Sequence, residues 1–435
     1  MILNIAKMTI TIVTGFFDLP KRGLGLSKSL DVYFEKAEKL MQVPCPMIIY
    51  CDPELVERIL NMRSKYNLES KTLCVGCAFE DLEYYIQYFQ MATSALRINP
   101  LLNGNAQKDT PAYFVLNWSK ITLLQKSIES NPFSSTHFLW IDFGVCHVAK
   151  TSETTFTDIL SFQFDKIRCL CMKHVCKTEL QNMQLYYSYR WGKIAGGVFG
   201  GSREYLTQLI TKYDYKLETL LKQNFAIMDE QIFSLLMHES PEIFDVYYGD
   251  YEYVLENFCY IKGNFETIIN NIQWCKERHE YDLVLDVCSK VLLSQYVSPL
   301  QKIKVYIELY SMFWITDTKK CLSILQELKS RSLADSVFFS SLQEQYPKIS
   351  SMISPIIALT NKKLVGMIMS ACDVSTLSIP NEVLTKYQFL IFLTDYQFTL
   401  DSIPPANPFI CNISEKIKYN SLPFISKISE ISSIK

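Results

Sequence analysis

The sequence predicts an α/β sandwich around a mostly parallel central sheet, followed by a mainly α-helical region. Three observations predict it. Through roughly the first 260 residues, short runs rich in Ile, Val and Thr alternate with longer stretches of helical periodicity, the texture of β-α-β units. The strand candidates, such as "PMIIYCD" and "HFLWID", are almost continuously apolar, as strands of a parallel sheet buried on both faces must be. After about residue 262 amphipathic stretches follow one another with short polar joints, which reads as successive helices.

Taken in order, "MTITIVTGFF" (8–17) is the first strand and runs into a Pro/Lys/Arg/Gly loop, with a helix expected near 27–41. "PMIIYCD" (46–52) is the second strand. "PELVERILNMRSKY" is a helix with Pro53 at its first position, where a missing N–H costs nothing. "KTLCVGCAF" (71–79) makes the third strand, "PAYFVLNWSKITLLQKSIES" (111–130) a long helix, and "HFLWIDFG" a central strand. The expected organisation is an α/β sandwich over 1–262, a helical domain over 263–350, and a small mixed region with a loosely held tail over 351–435. Helices are expected over "SPLQKIKVYIELYSMFWI" and "TDTKKCLSILQELKSRS" within the middle part.

Bulk composition excludes several classes. A net charge of −2 gives no basic field for nucleic acid. No apolar run approaches the length of a membrane span. The 14 cysteines sit inside apolar runs, and "MILNIAKMTITIVTGFF" lacks the layout of a secretory signal. Free thiols and a cytoplasmic location are the expectation.

Ligands of parallel sheets bind beyond the carboxyl ends of the strands. Asp52, Asp142 and the loop after Phe17 all fall at such ends. A carboxylate delivered by a buried strand needs a partner, because burying it alone is costly. Asp142 therefore either grips a cation and a ribose or caps the following turn, the commoner role. In "RWGKIAGGVFGGSREYL" (190–206), Gly196 and Gly197 open a doubly glycine-paired strand. Such pairs serve a close approach of ligand to backbone, or else a bulge and turn. Asp229 and Glu230 in "NFAIMDEQIFSLLM" complement a helix N-terminus or, alternatively, orient and deprotonate an acceptor hydroxyl. Lys21 and Arg22 in "FFDLPKRG" suit phosphate contacts or are solvated loop charge, and Lys120 is open in the same way. "CLCMKHVC" (169–176) crowds its cysteines and His174 too closely for a usual zinc site and reads instead as a strand.

In order, "TIVTGFFDL", "PMIIYCD", "NWSKITLLQKSIESNPFSSTHFLWIDFGVCH", "AGGVFGG" and "DEQIFSLLM" resemble the HtrL/YibB-like family of glycosyltransferase-like proteins over about residues 8–262. The resemblance implies a GT-A type α/β/α sandwich that binds a nucleoside-diphosphate sugar and passes the sugar to a hydroxyl of a glycan, lipid or protein. It implies that Asp142 stands at the DxD-like position and that Gly196 and Gly197 line the donor and acceptor cleft. Asp229, Glu230 and Gln231 would be the late acidic pair and amide, with Gly15, Lys21 and Arg22 beside the nucleotide. This sequence departs from acid–x–acid, reading Asp142–Phe143–Gly144. The expected divalent cation, Mn2+ or Mg2+, would then rest on Asp142 alone or with His147, the alternative being a donor site without metal. The competing expectation is an inactive GT-A-like binding protein whose C-terminal helices engage a protein partner. A nucleotidyltransferase would need a stronger Gly-rich basic signature than "GFFDLPKRGLG".

Overall fold

A computed structural model describes residues 8–22, 29–105, 109–189 and 191–316, with short isolated stretches beyond. Chain contacts divide it into two compact units, 1–298 and 299–435. In the first unit the strands are β1 (Ile10–Phe16), β2 (Met47–Cys51), β3 (Thr72–Gly76), β4 (His137–Ile141), β5 (Ile167–Cys171), β6 (Ile194–Ser202) and β7 (Phe244–Tyr248). Its helices are α1 (Leu30–Met41), α2 (Val56–Ser64), α3 (Glu83–Ile98), α4 (Pro111–Ser130), α5 (Thr155–Ser161), α6 (Lys177–Leu180), α7 (Met183–Ser188), α8 (Arg203–Lys222), α9 (Asp229–Glu239), α10 (Phe265–Glu277) and α11 (Tyr281–Leu293). The second unit begins with α12 (Pro299–Thr316).

The seven strands form one sheet in the order β3-β2-β1-β4-β6-β5-β7. All neighbours are parallel except β6, which runs antiparallel to both β4 and β5. The expected α/β sandwich with a mostly parallel sheet is thus the fold observed. Strands β2, β4 and β5 are buried at every residue, which is why each reads as an unbroken apolar run. Strand order reverses between β1 and β4, since β2 lies on one side of β1 and β4 on the other. Diverging connections leave a crevice outside the carboxyl ends at such a switch point.

Helix α4 covers that point, packing on β1, β4, α3 and α8. Thr110 caps it by accepting the Tyr113 N–H, Pro111 fills its first turn, and Asn131 ends it at a positive φ of 32°. It is buried around most of its girth, with Trp118 fully enclosed and its indole N–H donating to the Ile227 carbonyl at 2.9 Å. One stripe remains for the crevice: Tyr113, Leu116, Asn117, Lys120 and Leu123, spaced as one helix face requires.

The first compact unit extends past the boundary expected at 262, so α10 and α11 belong with the sheet. The Asn271 side chain accepts the His174 N–H at 3.1 Å, Tyr248 donates to Asp286, and Lys290 pairs with Asp245 at 3.2 Å. These bonds cover β7, an edge strand. Most of the helix expected over 316–332 and most of the region from 351 onward lie outside the described residues, although Thr316, Ile324, Glu327 and Leu328 are described and helical.

Candidate functional site

A cleft of about 340 Å³ opens beyond the ends of β1 and β4, within the usual range for small-molecule sites. The segment from Gly15 to Lys21 forms one wall, Trp140 and Asp142 to Val145 another, and the α4 stripe, Tyr251, His147 and the start of α1 with Tyr33 complete it. Gly15 lies close under Trp140: a β-carbon there would stand 3.3 Å from the indole.

Asp142 follows β4 directly. Its N–H donates to the Gly197 carbonyl at 2.8 Å, extending the β4–β6 ladder by one residue. The carboxylate accepts the Trp140 indole N–H at 2.7 Å, a contact open to residues two apart on one strand face. The remaining third of its side-chain surface is exposed, 33%.

Lys120 organises the floor. Its ammonium donates to the Gly196 carbonyl at 3.0 Å and pairs with Asp142 at 3.2 Å and Asp229 at 3.1 Å. Burial works against that charge, but Asp142 and then Asp229 outweigh it and hold the lysine pKa above its ordinary value. Burial likewise pushes the Asp142 carboxyl up, with Lys120 and the indole N–H pulling the other way. Asp229, 1% exposed, opens α9 from beneath the floor. Its Oδ2 accepts no hydrogen bond and relies on the ammonium.

The glycines of β6 follow from this arrangement. A β-carbon on Gly196 would stand 2.6 Å from Asp229 Oδ2, and one on Gly197 would meet the Tyr251 hydroxyl and lie 3.2 Å from Asp142 Oδ2. Protein carboxylates, not a bend, demand the bare backbone. Burial, then the Asp142 charge, keeps the Tyr251 phenol protonated.

Other expected site residues lie differently. Arg22 spends all five N–H groups on protein: Asp52 at 2.7 and 3.1 Å, Glu80 at 2.8 and 3.1 Å, and the Asp18 carbonyl at 2.9 Å. Asp52, fully buried, also accepts the Asp18 N–H at 2.7 Å. The pair pins the loop after β1 and leaves Arg22 no donor for a diphosphate. Lys21 lines the rim but is paired with Glu54 in solvent. Glu230 is half-buried, with its carboxylate 3.4 Å from the Gly196 N–H. Gln231 donates to the Tyr189 carbonyl at 2.7 Å and so ties α9 to the segment before β6. His147 sits exposed at the rim with Nδ1 on the Gly144 carbonyl at 2.6 Å.

The expected divalent cation does not fit this donor set. Hard cations take several oxygen ligands at once. Here Asp142 is engaged by the indole and the ammonium, Asp229 faces Lys120 from below, and His147 is held at the rim. Among the described residues no three potential ligands gather. Also among these residues, no helix is long and apolar enough to cross a membrane.

Trp140 and Tyr251 were not anticipated. Trp140 had a signal, the same-face spacing to Asp142; Tyr251, on a short turn after β7, had none.

A family described as a bacterial protein of unknown function (HtrL_YibB) matches residues 8–259. Protein HtrL of Escherichia coli (strain K12) is 24% identical over 254 residues, covering 56% of this chain and 88% of that protein. Among solved structures, mouse xyloside xylosyltransferase 1 in its apo form aligns at 12% identity and a TM-score of 0.33, over 55% of this chain and 85% of its own. A mannosyltransferase from Pyrobaculum calidifontis, in complex with GDP-Man and Mn2+, aligns at 8% identity and a TM-score of 0.24, over 81% and 88%. With its match running from the first strand to the end of the sheet, the chain belongs to the HtrL/YibB family.

Proposed function

We propose that the first unit is a glycosyltransferase that moves a sugar from a nucleoside-diphosphate donor to a hydroxyl acceptor on a glycan, lipid or protein. The observation that carries this reading is the cleft at the switch point, with a one-third exposed Asp142 delivered by β4 onto its floor. Aromatic walls from Tyr33, Tyr113 and Trp140 suit a base or sugar ring, and Asp142 offers a carboxylate to ribose hydroxyls.

In the transfer the bond from the anomeric carbon to the β-phosphate oxygen breaks, and one to the acceptor oxygen forms. The acceptor proton passes to a carboxylate, and the nucleoside diphosphate leaves with the bonding electrons. Of the two acids on α9, Asp229 is sealed and paired, so the one we assign to orient or deprotonate the acceptor is Glu230, which lies beside Gly196, behind the residues that line the cleft.

The test is donor hydrolysis and transfer with a panel of nucleoside-diphosphate sugars, comparing wild type with Asp142→Asn. Asparagine keeps the indole bond and the backbone ladder. The expected result is a loss of turnover of at least ~100-fold, the scale of a charged transition-state contact, with the melting temperature within a few degrees of wild type. Wild-type turnover in the variant removes Asp142 from the mechanism.

A further inference from the structure

We propose that Lys120 is the resident cation of this cleft, an ammonium fixed between Asp142 and Asp229 that serves a bound diphosphate in place of a divalent metal. The inference rests on the glycosyltransferase reading and concerns how that site neutralises its donor.

Its position is the first argument. Lys120 lies mid-way along α4, a helix buried on most sides, and its ammonium is held by the Gly196 carbonyl at 3.0 Å and carboxylates at 3.1 and 3.2 Å. The charge is therefore fixed in place before any ligand arrives, which is what electrostatic stabilisation of a leaving diphosphate requires. The chain places this charge where the resemblance led one to expect a metal, on Asp142.

The second argument is what else is present. Of the cations expected to meet phosphate, Arg22 does not line the cleft and Lys21 is paired with Glu54 at the solvent rim; the three N–H groups of Lys120 are also taken, but Lys120 lines the cleft and so does one of its partners, Asp142. Asp142 lacks the second acid two residues on, because Gly144 stands there. The acid that joins Asp142 around the cation comes instead from α9, beneath the floor, and both turn toward Lys120.

The third argument is how a phosphate enters. The Asp142 contacts, 3.2 and 3.4 Å, are the longest that the ammonium makes. Asp142 is also the one of its two acids open to the cleft. A phosphate oxygen would take that N–H by displacing Asp142, whose indole bond to Trp140 is independent of the ammonium. Asp229 stays below as the permanent counter-ion.

The experiment is calorimetric titration of the full chain with uridine, guanosine, adenosine and cytidine diphosphates, in excess EDTA and again with Mn2+. At least one diphosphate is expected to bind, with dissociation constants in the two conditions agreeing within about three-fold. Binding that needs Mn2+, or tightens about ten-fold or more with it, overturns the inference and leaves the glycosyltransferase reading standing. Binding of no diphosphate in either condition overturns that reading, and the inference with it. Lys120→Met is expected to lose binding in EDTA and to regain it only with Mn2+, since both acids are released. Wild-type affinity of that variant in EDTA also overturns the inference. Should the variant not fold, the wild-type comparison decides the matter alone.

Discussion

Replacing Lys120 by methionine tests the charge arrangement directly, because the apolar stem is conserved and only the ammonium is lost. In the native fold that group satisfies one backbone carbonyl and two carboxylates within 3.0–3.2 Å, and it is 7% exposed. Breaking a buried ion pair from one side costs about 3–5 kcal/mol, because the remaining charge is left uncompensated. Against a typical total of ~5–15 kcal/mol, that is a large fraction of the stability. The penalty depends on pH with a definite sign. Burial already raises the Asp142 pKa in the native fold, and without Lys120, which now lowers it, the rise is larger. A carboxyl with a raised folded pKa destabilises the fold above that pKa, and the penalty fades as pH falls toward the ordinary value near 3.9. Lys120 itself, with a raised pKa, contributes fully throughout this range and is lost only in strong alkali. The deficit of the variant is therefore greatest at neutral pH and narrows on acidification. Urea unfolding followed by tryptophan fluorescence at several pH values between neutrality and mild acid measures it. A loss under about 1 kcal/mol at pH 7, the scale of an exposed pair, would refute the reasoning, as would a deficit that does not narrow.

Three further outcomes follow from the same geometry. Gly196→Ala places a methyl 2.6 Å from Asp229 Oδ2 and should cost about 1–3 kcal/mol, the range for overpacking. Gly192→Ala, whose methyl meets only Met172 Cε at 3.8 Å, is the matched control, and equal melting temperatures would contradict the account of the glycine pair. Arg22→Lys cannot reproduce the forked bonds to Asp52 and Glu80; it should cost about 2–3 kcal/mol, the worth of charge-assisted bonds to a buried acid, while changing diphosphate affinity little. A large affinity loss at unchanged stability would return Arg22 to the donor site. Finally, a chain ending at Ser298 should melt cooperatively, whereas one ending at Lys262 strips α10 and α11 from β7 and should aggregate or melt far lower; equal melting of the two would detach those helices from the first unit.

How far the sequence reveals this site depends on how local each interaction is. The strands read well because burial on both faces leaves nothing but apolar residues in β2, β4 and β5. Asp142 was visible because an acid ending such a run breaks the pattern. Helix α4 was marked at both ends by cap and turn residues. Helix α3 was not anticipated: its "EYYIQYFQ" is rich in aromatics, which suit strand and helix alike. Arg22 looked like a phosphate ligand because its true partners, Asp52 and Glu80, lie 30 and 58 residues away. Local patterning says that a charge is present and cannot say which distant acid consumes it.

The glycine pair shows how the two kinds of information combine. Consecutive residues of a strand face opposite sides of the sheet. Gly196 accordingly lies against Asp229 and Gly197 against Asp142 and Tyr251. Strand β6 thus passes between two acids that α9 and β4 deliver from opposite directions, and only a strand without β-carbons leaves room for both. Lys120 bonds the carbonyl of Gly196 between them, so one ammonium closes a circuit of helix, strand and two carboxylates. From the sequence, "AGGVFGG" read as a strand thinned for an incoming ligand or for a bend. In the fold it is thinned for the protein's own charges, which leave one face of Asp142 open to the cleft.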